Sequence, residues 1–340
     1  MPCLAMPGAR CCERRCVIWN NRRNRMPLDP QLEAMFAGQP EWPPVRNFPV
    51  DALREAVRSS STQLPPPPVR LASVSDRAIP GPAGEIPVRI YTPEGAGPFP
   101  LIVYFHGGGF VVGDLDTQDM IARGLSGGTD AIVVSVDYRL APEHKFPAAF
   151  DDSWAAVEWT AANAAELGGN PALIAVAGDS AGGVIASACA LLARQAGAPK
   201  LAAVLNWYGP GIHPIPETGS AIEFANGPML RMDDAHYFWE LHIKDNSDYD
   251  DIRASPMKAS SHDGLPATFI ASAECDPIRD AVEAYGPVLE QAGVEVEVKR
   301  YPGMVHGFVS WLGFLPGAQA AMADACAFAK KQFASVRQDA

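Results

Sequence analysis

The chain has 340 residues, of which 48% are hydrophobic and 19% charged, with a formal net charge of −12 at pH 7. That length suits one large α/β domain or two small ones. The acidic balance offers no footprint for a phosphate backbone, so nucleic acid is not an expected partner. No apolar run reaches the length of a membrane-spanning helix.

The first 25 residues carry six arginines against one glutamate, net +5, which leaves −17 for the rest. They also hold four of the seven cysteines: Cys3, Cys11, Cys12 and Cys16. No histidine or further cysteine completes a ligand set there, so no metal is expected. The segment lacks the apolar stretch of a secretory signal and reads as a disordered or non-native extension, with a cytoplasmic protein expected. Residues 26–64 then carry a helical pattern, with Asp29 placed to cap a helix and Pro30 to begin it. Leu32, Met35 and Phe36 share one face, as do Val50, Leu53 and Val57. Two short amphipathic helices need a surface to lie on, and the expected surface is part of a substrate site.

After the proline tract at 65–68, residues 69–79 and 86–91 alternate loosely and predict an antiparallel hairpin that turns at 81–84. Residues 101–105 form a continuous apolar run, as a central strand does, and end in His106-Gly107-Gly108-Gly109-Phe110. Three glycines at a strand's end lay bare backbone N–H groups, which is what an oxyanion formed in acyl chemistry requires. A helix is expected over 116–126, a strand over 131–136 and a helix over 148–167. This alternation predicts a mostly parallel sheet.

Leu173-Ile174-Ala175-Val176-Ala177 is a second buried run, followed by Gly178-Asp179-Ser180-Ala181-Gly182 and a helical stretch over 184–194. G-x-S-x-G between a strand and a helix is the nucleophile elbow. Gly178 and Gly182 are needed because the turn brings backbone too close for a Cβ. A further strand over 200–207 precedes an insert, 208–262, in which no strand is expected and an amphipathic patch covers 229–243. This insert reads as a cap. Strands resume at 268–273 and 294–299, the last alternating strictly, as an edge strand does.

Just past these two strands lie Asp276 and His306, so the chain order is Ser, Asp, His, the order of an α/β-hydrolase triad. Glu274 and Asp280 are rival acids. Glu274 lies nearer the strand and Asp280 inside the following helix, which favours Asp276. His106 is expected to orient the glycine loop. His144, His213, His236, His242 and His262 are expected on the surface or in the cap. Phe110, Trp207, Tyr208, Leu230, Phe238 and Trp239 are candidates to line an acyl pocket, or else to hold the cap to the body.

His106 to Gly109, Gly178-Asp179-Ser180-Ala181-Gly182-Gly183, Tyr138-Arg139-Leu140-Ala141-Pro142-Glu143, Asp276-Pro277-Ile278-Arg279-Asp280 and the stretch from Tyr301 to Phe308 resemble the hormone-sensitive-lipase family of bacterial esterases, in its G-D-S-A-G-G subgroup. The resemblance implies an α/β-hydrolase fold: a mostly parallel eight-stranded sheet with helices on both faces and a helical cap. It divides the chain into a core at 65–207 and 263–335 and a cap from 26–64 and 208–262. It implies a carboxylesterase acting on short to medium acyl chains of small-molecule esters, without a cofactor. Ser180 is then the nucleophile, Asp276 and His306 complete the triad, and the N–H groups of Gly108, Gly109 and Ala181 form the oxyanion hole. An amidase or formamidase would use the same triad. A non-catalytic receptor on this scaffold is disfavoured by the presence of His306. Pairing of two copies along the 294–299 edge is the expected mode for a homodimer.

Overall fold

The computed structural model describes residues 28–39, 43–61, 69–217 and 219–338. The arginine- and cysteine-rich start and the proline tract lie outside the described residues. Helix α1 (Pro30–Phe36) begins as expected: the Asp29 carboxylate accepts the Gln31 N–H at 2.8 Å and Pro30 occupies the first turn, where no N–H is needed. Helix α2 (Val50–Ser61) turns Val50, Leu53 and Val57 onto Val111, Val112 and Ala141. Its Arg54 fixes that docking. Nε donates to the Val111 carbonyl, Nη2 to the Ala141 carbonyl, and the guanidinium fork grips Glu143 at 2.7 and 2.8 Å.

The body follows as β1 (Leu71–Gly81), β2 (Gly84–Pro93), β3 (Phe99–Phe105), α3 (Asp119–Thr129), β4 (Ile132–Val136), α4 (Ala148–Ala162), β5 (Gly169–Asp179), α5 (Ala181–Ala196) and β6 (Leu201–Trp207). After the insert, which carries α6 (Ser220–Glu223) and α7 (Met232–His242), come β7 (Ala267–Cys275), α8 (Arg279–Glu283), α9 (Tyr285–Gln291), β8 (Val296–Val305) and α10 (Pro316–Gln338). The eight strands form one sheet in the order β1-β2-β4-β3-β5-β6-β7-β8. β1 with β2 and β2 with β4 are antiparallel, and every later pair is parallel. The hairpin turn falls between Gly81 and Gly84, and β8 is an edge strand, both as expected.

Residues 101–105 of β3 and 173–177 of β5 read as unbroken apolar runs because helices cover both faces of the sheet. The alternation along β8 shows the two layers. Val296 and Val298 face Gly286 of α9, while the Tyr301 hydroxyl on the other side donates to Asp324 of α10 at 2.7 Å. α10 packs on α3, and α4 packs on α5.

Among the described residues the insert contains no strand, again as expected. It is joined to the body by an aromatic cluster in which the Phe110 ring stacks on His242, centroids 4.0 Å apart, with Trp239 at 5.2 Å and Phe150 at 5.6 Å. Surface placement does not hold for three of the histidines. His213, His242 and His262 lie in the insert, the other placement expected, and are buried because its apolar residues join the core of the body; His242 stacks on Phe110 and His262 packs edge-on against Tyr285 of α9. Burial pushes His242 down to about 3, so it is neutral in use. Among the described residues no helix is long and apolar enough to cross a membrane.

Candidate active site

The site is assembled at the C-terminal ends of four parallel strands, the edge at which open α/β sheets bind ligands. β5 delivers Ser180 at φ 53° and ψ −119°, a conformation that L residues adopt only when their surroundings impose it. Here two features impose it. The Ser180 N–H donates to the Trp207 carbonyl at 2.8 Å, and its own carbonyl accepts the Gly183 N–H at 2.9 Å. A Cβ on Gly182 would collide with the Phe105 carbonyl, so glycine alone permits this crossing of helix over strand.

β7 and β8 supply the partners. The Ser180 hydroxyl donates to His306 Nε2 at 2.8 Å, and His306 Nδ1 donates to Asp276 Oδ2 at 2.7 Å. Asp276 is fully buried and its second oxygen accepts the Ile278 N–H at 3.0 Å. The carboxylate only accepts, so it fixes the proton on Nδ1 and leaves Nε2 free to take one from the serine. The Tyr208 ring lies 4.9 Å from the imidazole, centroid to centroid.

The rival acids have other work. Between Ala273 and Cys275 the pairing with β8 slips, so that Cys275 meets Val305. The Glu274 carboxylate fills that irregularity by accepting the Gly303 N–H at 2.7 Å, three residues before His306. Asp280 instead bonds to Ser220 in the insert.

Opposite Ser180, β3 ends in the glycine loop. Gly108 lies at φ +117°, where a side chain is strained and where a Cβ would strike the Val112 carbonyl. The loop curls because the Gly108 carbonyl accepts from both Val111 and Val112 N–H at 3.0 Å. Neither the Gly108 nor the Gly109 N–H donates to an acceptor among the described residues. The Ala181 N–H opens α5, where helical donors have no partner in their own helix. Three amide donors are therefore available to a forming anion. Phe238 of α7 lies against this loop, since a Cβ on Gly109 would overlap its ring.

Asp179, beside Ser180, has a place in the site that motif reading passed over. It is buried, and its Oδ1 accepts from the Tyr104 hydroxyl at 2.6 Å and the Gly107 N–H at 2.9 Å. It thus ties the glycine loop to the elbow. Burial raises its pKa, an effect opposed by those two donors. His106 acts as expected. Its Nδ1 bonds to the Gly107 carbonyl at 2.7 Å, its ring stacks on Tyr138 at 4.2 Å, and burial pushes it down to about 4.

Of the pocket candidates, Phe238 is half-buried beside the glycine loop and Tyr208 is buried beside the imidazole. Leu230 is buried within the insert, and Phe110 and Trp207 are fully enclosed. The contacts of Phe110 with Trp239 and His242 join the insert to the body. The described cysteines, Cys189, Cys275 and Cys326, are buried, and burial raises all three thiols, so none is a ready nucleophile. Among the described residues no group of three or more His, Cys, Asp or Glu side chains is placed to hold a metal.

A protein family described by the alpha/beta hydrolase fold matches residues 102–310. The carboxylesterase NlhH of Mycobacterium tuberculosis is 44% identical over 272 residues, spanning 78% of this chain and 85% of its own. The carboxylic ester hydrolase LipN of the same organism is 40% identical, spanning 83% of this chain and 77% of its own. A solved esterase structure from Pyrobaculum calidifontis superimposes with a TM-score of 0.84 at 36% identity, covering 90% of this chain and 99% of that one. With this fold, this agreement in sequence and this length of match, the chain belongs to the hormone-sensitive-lipase-like family of α/β-hydrolases.

Proposed function

We propose that this protein is a serine carboxylesterase that hydrolyses small-molecule esters of short to medium acyl chain length through an acyl-enzyme. The observation that carries this reading is the unbroken hydrogen-bond chain from Asp276 through His306 to Ser180. Ser180 Oγ attacks the ester carbonyl carbon and its proton passes to His306 Nε2. The tetrahedral oxyanion is held by the N–H groups of Gly108, Gly109 and Ala181, and Asp276 stabilises the imidazolium. As the C–O bond breaks, the alcohol leaves with the proton from Nε2. Water, deprotonated by the same nitrogen, then attacks the acyl carbon, releasing the carboxylic acid and regenerating Ser180. No cofactor enters these steps. Esters are preferred to amides in this reading because the relatives are named as ester hydrolases.

Within the family, the sequence Gly178-Asp179-Ser180-Ala181-Gly182-Gly183 assigns the chain to the G-D-S-A-G-G subgroup. Residues 26–64 and 208–262 form the cap over a catalytic core of 65–207 and 263–335. Phe238, beside the glycine loop, and Tyr208, beside the imidazole, face the acyl group. The enzyme works in the cytoplasm, and two copies pair along the open edge of β8. A monomer mass by light scattering would remove that pairing. Initial rates on p-nitrophenyl acetate, butyrate, octanoate and laurate test the function itself. Turnover should peak at the shorter esters and fall to the residual rate of binding and oxyanion stabilisation in Ser180→Ala. Normal turnover by that variant would reject the assignment.

A further inference from the structure

The turn that carries the catalytic acid is completed by a residue from the cap. Asp276 opens a tight turn in which its Oδ1 accepts the Ile278 N–H and its carbonyl accepts the Arg279 N–H at 3.1 Å. α8 starts at once, so its first N–H groups have no helical partner. Ser220, in the insert and 1% exposed, meets that need from outside. Its hydroxyl accepts the Asp280 N–H at 3.0 Å and donates to the Pro277 carbonyl at 3.0 Å. In return the Asp280 carboxylate accepts the Ser220 N–H at 2.8 Å.

Arg279 braces the same joint. Nη1 donates to the Glu274 carbonyl at 2.8 Å, Nε donates to Asp280 at 2.9 Å, and the guanidinium lies 5.5 Å over the Phe224 ring of the insert. One hydroxyl, contributed by a segment more than fifty residues earlier in the chain, thus satisfies both the donor and the acceptor of the acid turn.

We infer that Ser220 is a positioning residue for the triad: it acts through the 277–280 turn to hold Asp276 in line with His306. This rests on the acyl-transfer reading of Ser180, His306 and Asp276. The physical reason is that a buried N–H and C=O stripped of their shared partner will move to find others. The turn holding Asp276 would move with them. Small displacements of a catalytic group lower turnover far more than binding, because the substrate's own contacts are untouched.

The test uses the full chain and p-nitrophenyl butyrate, with active sites counted by fluorophosphonate labelling carried to completion. Labelling and turnover of the unaltered enzyme establish the acyl-transfer reading separately, and failure there would indict that reading rather than this one. Ser220→Ala should lower kcat per labelled site by about tenfold or more, with KM within about twofold, at a temperature well below its melting point. Ser220→Thr, which keeps the hydroxyl, should recover most of the loss. A merely structural serine would lower the melting temperature and leave kcat per labelled site alone. That result for Ser220→Ala overturns the inference. If Ser220→Ala does not fold, Ser220→Cys keeps the bulk with a much weaker hydrogen-bonding group and decides instead. Reduced kcat per site supports the inference, and an unchanged value overturns it.

Discussion

Asp276→Asn tests the tautomer argument with almost no change of shape. In the native site Oδ1 faces the Ile278 N–H and Oδ2 faces His306 Nδ1. The amide oxygen will keep the Ile278 contact, because an NH2 group there would confront another donor. The NH2 group is then left facing Nδ1 and donates to it, which moves the ring proton to Nε2. Nε2–H points at Ser180 Oγ and cannot accept its proton. The charge that would stabilise the imidazolium is lost as well. Together these should lower kcat by ~10⁴, equivalent to about 5 kcal/mol of transition-state stabilisation. The assay is turnover of p-nitrophenyl butyrate per fluorophosphonate-reactive site, with circular dichroism to verify an unchanged fold. A variant within tenfold of the native rate would refute the assignment of Asp276 as the residue that sets the tautomer.

Other consequences are open to measurement. Asp137 lines a cavity of about 320 Å³ with Arg58 and Thr117, and burial, reinforced by Asp114 and Asp116, pushes its carboxyl up to about 6. The folded state therefore holds that proton more tightly than the unfolded one. Stability should fall as pH rises from about 4 through 6 and stay lower above it, by at most about 3 kcal/mol. Asp137→Asn should accordingly raise the urea midpoint at pH 8 and barely move it at pH 4; equal gains at both would contradict the argument. Arg54→Ala strips the Val111 and Ala141 carbonyls of a donor and frees α2. A loss of about 2 kcal/mol in chemical denaturation and a raised KM are expected, whereas an unchanged KM would separate α2 from the substrate site. Phe238→Ala opens space beside the glycine loop and should shift kcat/KM toward octanoate over butyrate by roughly tenfold. An unchanged ratio would move the acyl group away from that ring.

Local chemistry made much of this molecule readable before any coordinates. The elbow is legible because its strand, its glycines and its serine are contiguous. The choice of Asp276 over Glu274 follows from position relative to a strand end. Boundaries were less legible where side chains decide them. The helix expected from 116 begins at Asp119, since the Asp114 carboxylate takes the Asp116 and Thr117 N–H groups into a turn first. β5 starts at Gly169, ahead of its apolar run, because that glycine pairs with Phe99. Long-range partners left no trace in spacing. Arg54 meets Glu143 across 89 positions, and Ser220 meets Pro277 across 57. The burial of His242 was equally hidden, because the Phe110, Phe146 and Phe150 rings that exclude water from it lie far from it in the chain and are joined to it only by the fold.

The most direct measurement is covalent capture. The enzyme would be treated with a fluorophosphonate, digested, and mapped by mass spectrometry while its esterase activity is followed. One adduct per chain, located on Ser180 and formed in step with the loss of turnover, is the result this account predicts. Full hydrolysis of p-nitrophenyl butyrate with Ser180 unmodified, or an inactivating adduct on another residue, would contradict it.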